Sequence, residues 1–166
     1  SITIPNSVIS IGRFAFRYNQ LTSVTIPKCV AYIGRGAFDR NELTNIVIPD
    51  GVTSIGDTTF ANNQIISVAI PNNVTSIGEL AFKNNKLTSV TIGGNVTSIG
   101  ARVFYGNHLS SVHFSGDRPT TLVDDAFHNN PDLTTVTYCQ NRTGWPGEAI
   151  YNGPDGVFPT GINCDS

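Results

Sequence analysis

The sequence predicts a repeat solenoid, in which short coils stack on one continuous core. Each coil contributes a strand to one parallel β-sheet, then a short second strand and a short helical or 3₁₀ turn. Three columns predict it. Ser10-Ile11-Gly12 returns as Tyr32-Ile33-Gly34, Ser54-Ile55-Gly56, Ser76-Ile77-Gly78 and Ser98-Ile99-Gly100, once every 22 residues. Phe16, Phe38, Phe60, Phe82 and Phe104 recur at the same interval, and Phe127 continues the series. So do Asn19, Asn41, Asn63, Asn85 and Asn107. A fixed period of this size means that each unit buries its apolar face only against its neighbours.

Residues 19–38 illustrate one unit. Leu21, Val24 and Ile26 are apolar, with Thr25 between the last two, which predicts a strand. Pro27 ends it, because proline donates nothing to a sheet ladder. Val30 and Ile33 point inward again from a second short extended piece. Gly34, with Gly12, Gly56, Gly78 and Gly100 in its column, implies either positive φ or close contact between coils. Ala37 and Phe38 fall on a turn of helix or 3₁₀, with Phe38 filling the interior. Stacked in register, residues 21–26, 43–48, 65–70, 87–92 and 109–114 become one sheet with strands about 4.8 Å apart. The phenylalanines form a spine. The asparagines form a ladder whose amides satisfy backbone groups left unpaired at a tight corner.

The 166 residues suit one domain of about seven coils. Only 13% of residues are charged and the net charge is −2, so the chain lacks the basic stripe that nucleic acid requires. No apolar run reaches the roughly 18 residues of a membrane span. Ser1-Ile2-Thr3-Ile4 aligns with Ser23-Val24-Thr25-Ile26, so the chain is expected to open inside a repeat and to continue upstream. Cys139 and Cys164 bracket a non-repetitive tail, which fits a disulfide closing a terminal cap; two unpaired thiols are the alternative. Cys29 sits at a turn and reads as a spare thiol.

The phrase Leu-x-x-Val-x-Ile-Pro-x-x-Val-x-x-Ile-Gly-x-x-Ala-Phe-x-x-Asn resembles the BspA-type leucine-rich repeat of bacterial surface proteins. The resemblance covers residues 1–138, with a truncated first repeat, and leaves 139–166 as a C-terminal cap. Val136-Thr137-Tyr138, Thr143-Gly144-Trp145 and Pro159-Thr160 resemble the closing segment of such arrays. Gly93 replaces the repeating proline, Val123 replaces the glycine, and extra residues surround 116–119 and 130–132. The resemblance implies a curved, right-handed, non-catalytic scaffold, extracellular or on a bacterial cell surface. It implies adhesion to a protein partner or surface glycan, with no cofactor. It transfers no binding residue.

His108 and His113 lie five extended residues apart, roughly 16 Å, too far to share a zinc ion. His128 occupies the column of Tyr105. Asp117, Asp124, Asp125 and Asp132 could bind Ca²⁺ but match no EF-hand spacing, and a solvated acidic turn explains them. Arg13, Arg17, Lys28, Arg35 and Arg40 lie early, giving a mild charge gradient. No nucleophile elbow, phosphate loop, HExxH or GxGxxG is present. The sequons at Asn73, Asn95 and Asn141 are repeat chemistry or expected to be empty.

The outward face of the sheet carries two columns. One is Thr3, Thr25, Val47, Ala69, Thr91, His113 and Thr137; the other is Ser1, Ser23, Asn45, Ser67, Ser89, Ser111 and Thr135. Both lack the large anchors typical of interfaces. Val47, Ala69 and His113 break the monotony. The rim residues Gln20, Glu42, Gln64, Lys86, His108 and Asp132 vary most, and are the favoured binding strip. Trp145, Tyr151 and Phe158 are expected to cover the end of the core. The competing readings are a structural spacer, a carbohydrate-binding or glycan-processing module, and an ice-binding surface.

Overall fold

A computed structural model describes residues 1–123, 125–139, 143, 145 and, by backbone alone, 159–162. It is a parallel-strand β-solenoid of stacked coils. The front face holds β1 (Ile2–Thr3), β3 (Val24–Thr25), β6 (Ser67–Ala69), β8 (Ser89–Ile92), β10 (Ser111–Phe114), β12 (Thr135–Cys139) and β13 (Pro159–Ile162). The second face holds β2 (Ser10–Ile11), β4 (Tyr32–Ile33), β5 (Ser54–Ile55), β7 (Ser76–Ile77), β9 (Ser98–Ile99) and β11 (Thr121–Leu122). These second strands form a six-stranded parallel sheet of their own, in the order β11-β9-β7-β5-β4-β2. The front pairs like with like: Val112 lies between Val90 and Val136, and His113 between Thr91 and Thr137.

Stacking accounts for the core. Phe38, Phe60, Phe82, Phe104 and Phe127 are fully buried. Their rings stack at 5.4–5.6 Å between centroids. Phe16 joins at 5.2 Å and is half-buried, with one ring neighbour. Phe114 replaces the isoleucine of its column and meets Phe127 edge-on at 6.3 Å.

The asparagine ladder runs as expected and extends to Asn130. Asn63 is typical: Oδ1 accepts from Leu43 N at 3.0 Å, and Nδ2 donates to Phe38 O at 3.0 Å and Phe60 O at 3.2 Å. Its Nδ2 also reaches Ala61 O at 3.1 Å, so each such asparagine ties two coils through at least three backbone groups. Asn19 is exposed and bonds only within its own coil, to Phe16 O and Arg17 O.

Two expectations need correction. There is no helical or 3₁₀ turn at Ala37 and Phe38, nor elsewhere among the described residues. The corner instead carries two left-handed residues per coil, as at Phe14 and Tyr18, Gly36 and Arg40, Thr58 and Asn62, Leu80 and Asn84, and Arg102 and Gly106. A left-handed residue every fourth position interrupts any helical run. The repeating glycines are not the residues that supply this conformation. They are needed for close approach: a methyl at Gly78 would lie 2.6 Å from Asp57 N and 2.8 Å from Gly56 C. Gly34, Gly56 and Gly100 are equally confined by the preceding coil, whereas Gly12 has nothing within 4 Å.

The second correction concerns the front sheet, which is not continuous. Residues 43–48, expected as a strand, form none, so β1–β3 is separated from the five strands β6 to β13. The alternation survives: Ile46 and Ile48 are buried, and Val47 is 73% exposed. The ladder does not. Along the row that enters the front face, the coil-to-coil bond is 2.9 Å from Ser110 to Thr88, 3.2 Å from Thr88 to Ile66, 3.3 Å from Ile66 to Thr44 and 3.4 Å from Thr44 to Thr22. Below Thr44, no backbone hydrogen bond joins residues 45–48 to another coil. Ile46 carries one methylene more than Val24, Val68, Val90 and Val112 of the same column, but so does Ile2, which pairs with Val24, so the extra methylene alone does not account for the missing ladder.

Candidate functional site

The rim residues form a true row. The backbone N–H groups of Glu42, Gln64, Lys86 and His108 donate to Leu21, Leu43, Ile65 and Leu87 at 2.9–3.0 Å, and their side chains are exposed, as is that of Gln20. The asparagine ladder holds this row at constant spacing. Asp132 departs from it. Pro131 adds a residue, and Leu133 N closes a turn onto Asn130 O instead. The row thus presents Gln20, Glu42, Gln64, Lys86 and His108 about 4.8 Å apart.

The front columns diverge from the rim. Val47 and Ala69 share a groove of about 540 Å³ with Asn45, Ser67, Ser89 and Thr91. On its other side Val47 borders a groove of about 750 Å³ between coils two and three, lined by residues 24–29 and 47–51 with Asn6. A third hollow of about 480 Å³ follows around Asn72 and Gly93. Asp50 lines all three. His113 belongs to none of them; its Nδ1 lies 2.9 Å from Thr137 Oγ1. The structure therefore brings Val47 and Ala69 together and sets them apart from the rim and from His113. Lys28 and Asp50 were missed in the sequence, where they look like any solvated turn. Cys29, beside them, is exposed and free.

The early arginines serve the opposite corner. Arg13 and Arg17 lie over the Phe14 ring at 4.6 and 4.7 Å, and Arg17 and Arg40 over Tyr18 at 4.6 and 5.1 Å. Arg17 Nε also pairs with buried Asp39 at 2.7 Å. Asp39 accepts from Asn62 Nδ2 at 2.8 Å, and Asn62 from Asn84 Nδ2 at 3.1 Å. This chain of side chains is a second polar ladder, and the charge gradient is in part its by-product.

Of the acidic residues, Asp125 holds Arg102 through Oδ1 to the backbone N at 3.1 Å and Oδ2 to Nε at 3.0 Å. Asp117 accepts from Thr143 N at 2.8 Å. They bond to protein groups, so a purely solvated turn describes them incompletely; Asp124 lies outside the described residues. Tyr105 stacks on His128 at 6.1 Å. Trp145 packs on Phe114 at 4.7 Å and on Tyr138 at 5.0 Å, as a core cover should. Tyr151, Phe158 and Asn141 lie outside the described residues. So does Cys164, the expected partner of buried Cys139.

No helix of the described residues is long and apolar enough to cross a membrane. Among those residues no group of three metal-binding side chains converges.

A search of curated proteins gives no match. Among solved structures the chain is similar to a leucine rich cell surface protein from Faecalibacterium prausnitzii A2-165, at 23% identity and a TM-score of 0.48. That match covers 83% of this chain and 53% of the other, so this chain spans about half of that protein's length. The family description "BspA type Leucine rich repeat region" matches in six copies, over residues 1–110 and 32–154. The chain belongs to the BspA-type leucine-rich repeat family.

Proposed function

We propose that this chain is a non-catalytic interaction module, extracellular or on a bacterial cell surface, that holds a protein partner or surface glycan. The observation that carries the reading is the contrast between an invariant stacked interior and a rim and front face that differ from coil to coil. Glu42, Gln64, Lys86 and His108 vary at positions whose backbones are fixed to within about 0.1 Å in hydrogen-bond length. A rigid row of unlike side chains is what a solenoid needs to recognise an extended surface. We assign residues 1–138 to the repeats and 139–166 to a cap closed by a Cys139–Cys164 disulfide. Alkylation of the unfolded, unreduced chain tests that pairing: one blocked thiol, at Cys29, is expected.

For function, the immobilised chain is screened against matrix proteins, bacterial surface proteins and glycans. Specific retention of one, weakened by joint substitution of the row neighbours Gln64, Lys86 and His108, is the expected result. Retention of none, or turnover of a polysaccharide or peptide in the same panel, would refute the proposal. A spacer role is the second reading. The small, uncharged column of Ser23, Ser67, Ser89 and Ser111 favours it, and binding untouched by any surface substitution would support it.

A further inference from the structure

Resting on that interaction reading, we infer that the arginine-lined corner of the first two coils binds a linear glycan carrying closely spaced anionic groups. The first 42 residues hold five basic and two acidic side chains, whereas the remainder holds five basic and ten acidic. Four of the early five, Arg13, Arg17, Arg35 and Arg40, gather at one corner around two rings. Arg13 and Arg17 share the Phe14 ring, and Arg17 and Arg40 share Tyr18. Arg35 is tied in through its backbone, whose O accepts from Phe14 N at 3.0 Å. Gly36 makes room for the first ring: a methyl there would lie 2.5 Å from two Phe14 ring atoms. The same column continues as Thr58, Leu80 and Arg102, with no second ring.

Guanidinium groups resting on rings are ordered before a ligand arrives, so binding costs less freedom. Arg13, Arg35 and Arg40 are exposed and have no ion-pair partner among the described residues. Arg17 meets Asp39 through Nε, one of the five N–H groups of its guanidinium. Asp39 itself is buried and does not face a ligand. The column of Arg13 and Arg35 continues as Asp57 and Glu79 in coils three and four. Those carboxylates repel a polyanion that follows the rod, so the ligand crosses the rod over coils one and two. A patch two coils wide, about 10 Å, falls short of the long basic track that nucleic acid follows. The backbone favours a glycan over a peptide. Every N–H from Phe14 to Tyr18 and from Gly36 to Arg40 already donates to a carbonyl of the protein. A polypeptide binding by strand-type main-chain bonds finds no donor there. What the corner offers is forked cationic donors, which match sulfate, phosphate or carboxylate substituents.

The probe is a fluorescein-labelled heparin octasaccharide, read by fluorescence anisotropy. The native chain is compared with the double variant Arg13→Gln with Arg35→Gln and the charge-matched control Lys28→Gln with Lys83→Gln. Neither pair breaks an ion pair among the described residues, and Arg17 is left in place because it holds Asp39. The corner variant should bind at least about tenfold more weakly, while the control stays within about twofold of native. Raising salt from about 50 to about 200 mM should weaken native binding by at least about tenfold, as counterion release from three or more contacts requires. A polygalacturonate oligomer of equal length distinguishes carboxylate from sulfate: whichever glycan binds more tightly carries the recognised anion, and either outcome supports the corner. Neutral dextran should not bind.

Three results would overturn the assignment. One is binding of neither anionic glycan, or of dextran equally well. The second is equal loss of affinity in the corner variant and its charge-matched control. The third is equal or tighter binding of polyglutamate or of a single-stranded DNA of the same charge. A chain that retains a surface protein through Gln64, Lys86 and His108, with no anionic glycan bound, loses the corner and keeps the broader reading. Glycan binding that the joint rim substitution leaves unchanged, with nothing else in the panel retained, keeps the corner and removes the rim as the binding strip.

Discussion

Replacing Asn63 by alanine strips Leu43 N–H of its acceptor in a fully buried setting, and Phe38 O, Phe60 O and Ala61 O of the two N–H donors they share. The three carbonyls retain Asn41, Asn85 and Arg40 N as partners. Leu43 N retains none. An unsatisfied buried donor costs about 1–3 kcal/mol, and each lost hydrogen bond about 1 kcal/mol net. The total for Asn63→Ala is therefore about 3–5 kcal/mol. Asn63→Asp preserves the shape and the acceptor, yet directs a second oxygen at the same carbonyls. As an anion it repels them, so its folded pKa is raised above the unfolded value of about 3.9. A raised folded pKa means that stability is fully present below the unfolded pKa and is lost as pH rises through the folded one. Asn63→Asp should thus be the worse variant at pH 7 and approach or surpass Asn63→Ala near pH 4. Urea unfolding of both variants from pH 4 to 8 makes the comparison, because the native carboxylates cancel between them. A stability difference flat in pH, or an alanine cost below about 1 kcal/mol, would refute the ladder as described.

Other consequences follow from the coil geometry. Gly78→Ala drives a methyl into backbone atoms of the preceding coil and should cost about 1–3 kcal/mol. Gly12→Ala meets nothing and should be within about 0.5 kcal/mol of native by the same denaturation assay. Thr58→Gly relieves a β-branched residue at φ 53°. The relief of about 1–2 kcal/mol exceeds glycine's entropic cost of about 0.5–1, so a net gain of roughly 0.5–1 kcal/mol is expected in thermal unfolding.

The sequence carried the periodic part of this structure because identity at a fixed interval forces equal environments. Asn63 was legible as structural for that reason: a polar side chain repeated inside an apolar stack must be hydrogen-bonded. Where one signal has two physical causes, it misled. A repeating glycine can mean positive φ or contact, and here contact won at Gly34, Gly56, Gly78 and Gly100 while Thr58 and Leu80 bear the positive φ. The non-helical corner was hidden because most of its left-handed residues are not glycine. The break in the front sheet was hidden because residues 43–48 keep the same apolar alternation as the coils that do form strands. Val47 and Ala69 stood out as breaks in a column, whereas Lys28 and Asp50 did not, since turn residues vary freely in any coil.

Most asparagines of the inner ladder reach their partners 25, 20 and 3 positions back along the chain. Gaining or losing a whole 22-residue unit leaves every one of those offsets intact. The gene can therefore lengthen or shorten the rod by unequal recombination without redesigning a single joint. A lone inserted codon has no such freedom, and Asn130 shows how one is absorbed: its reach grows to 26 and 21 positions while the bonds stay at 3.0 Å. Overall length in this architecture is thus an inheritable variable, decoupled from the chemistry that keeps the rod standing.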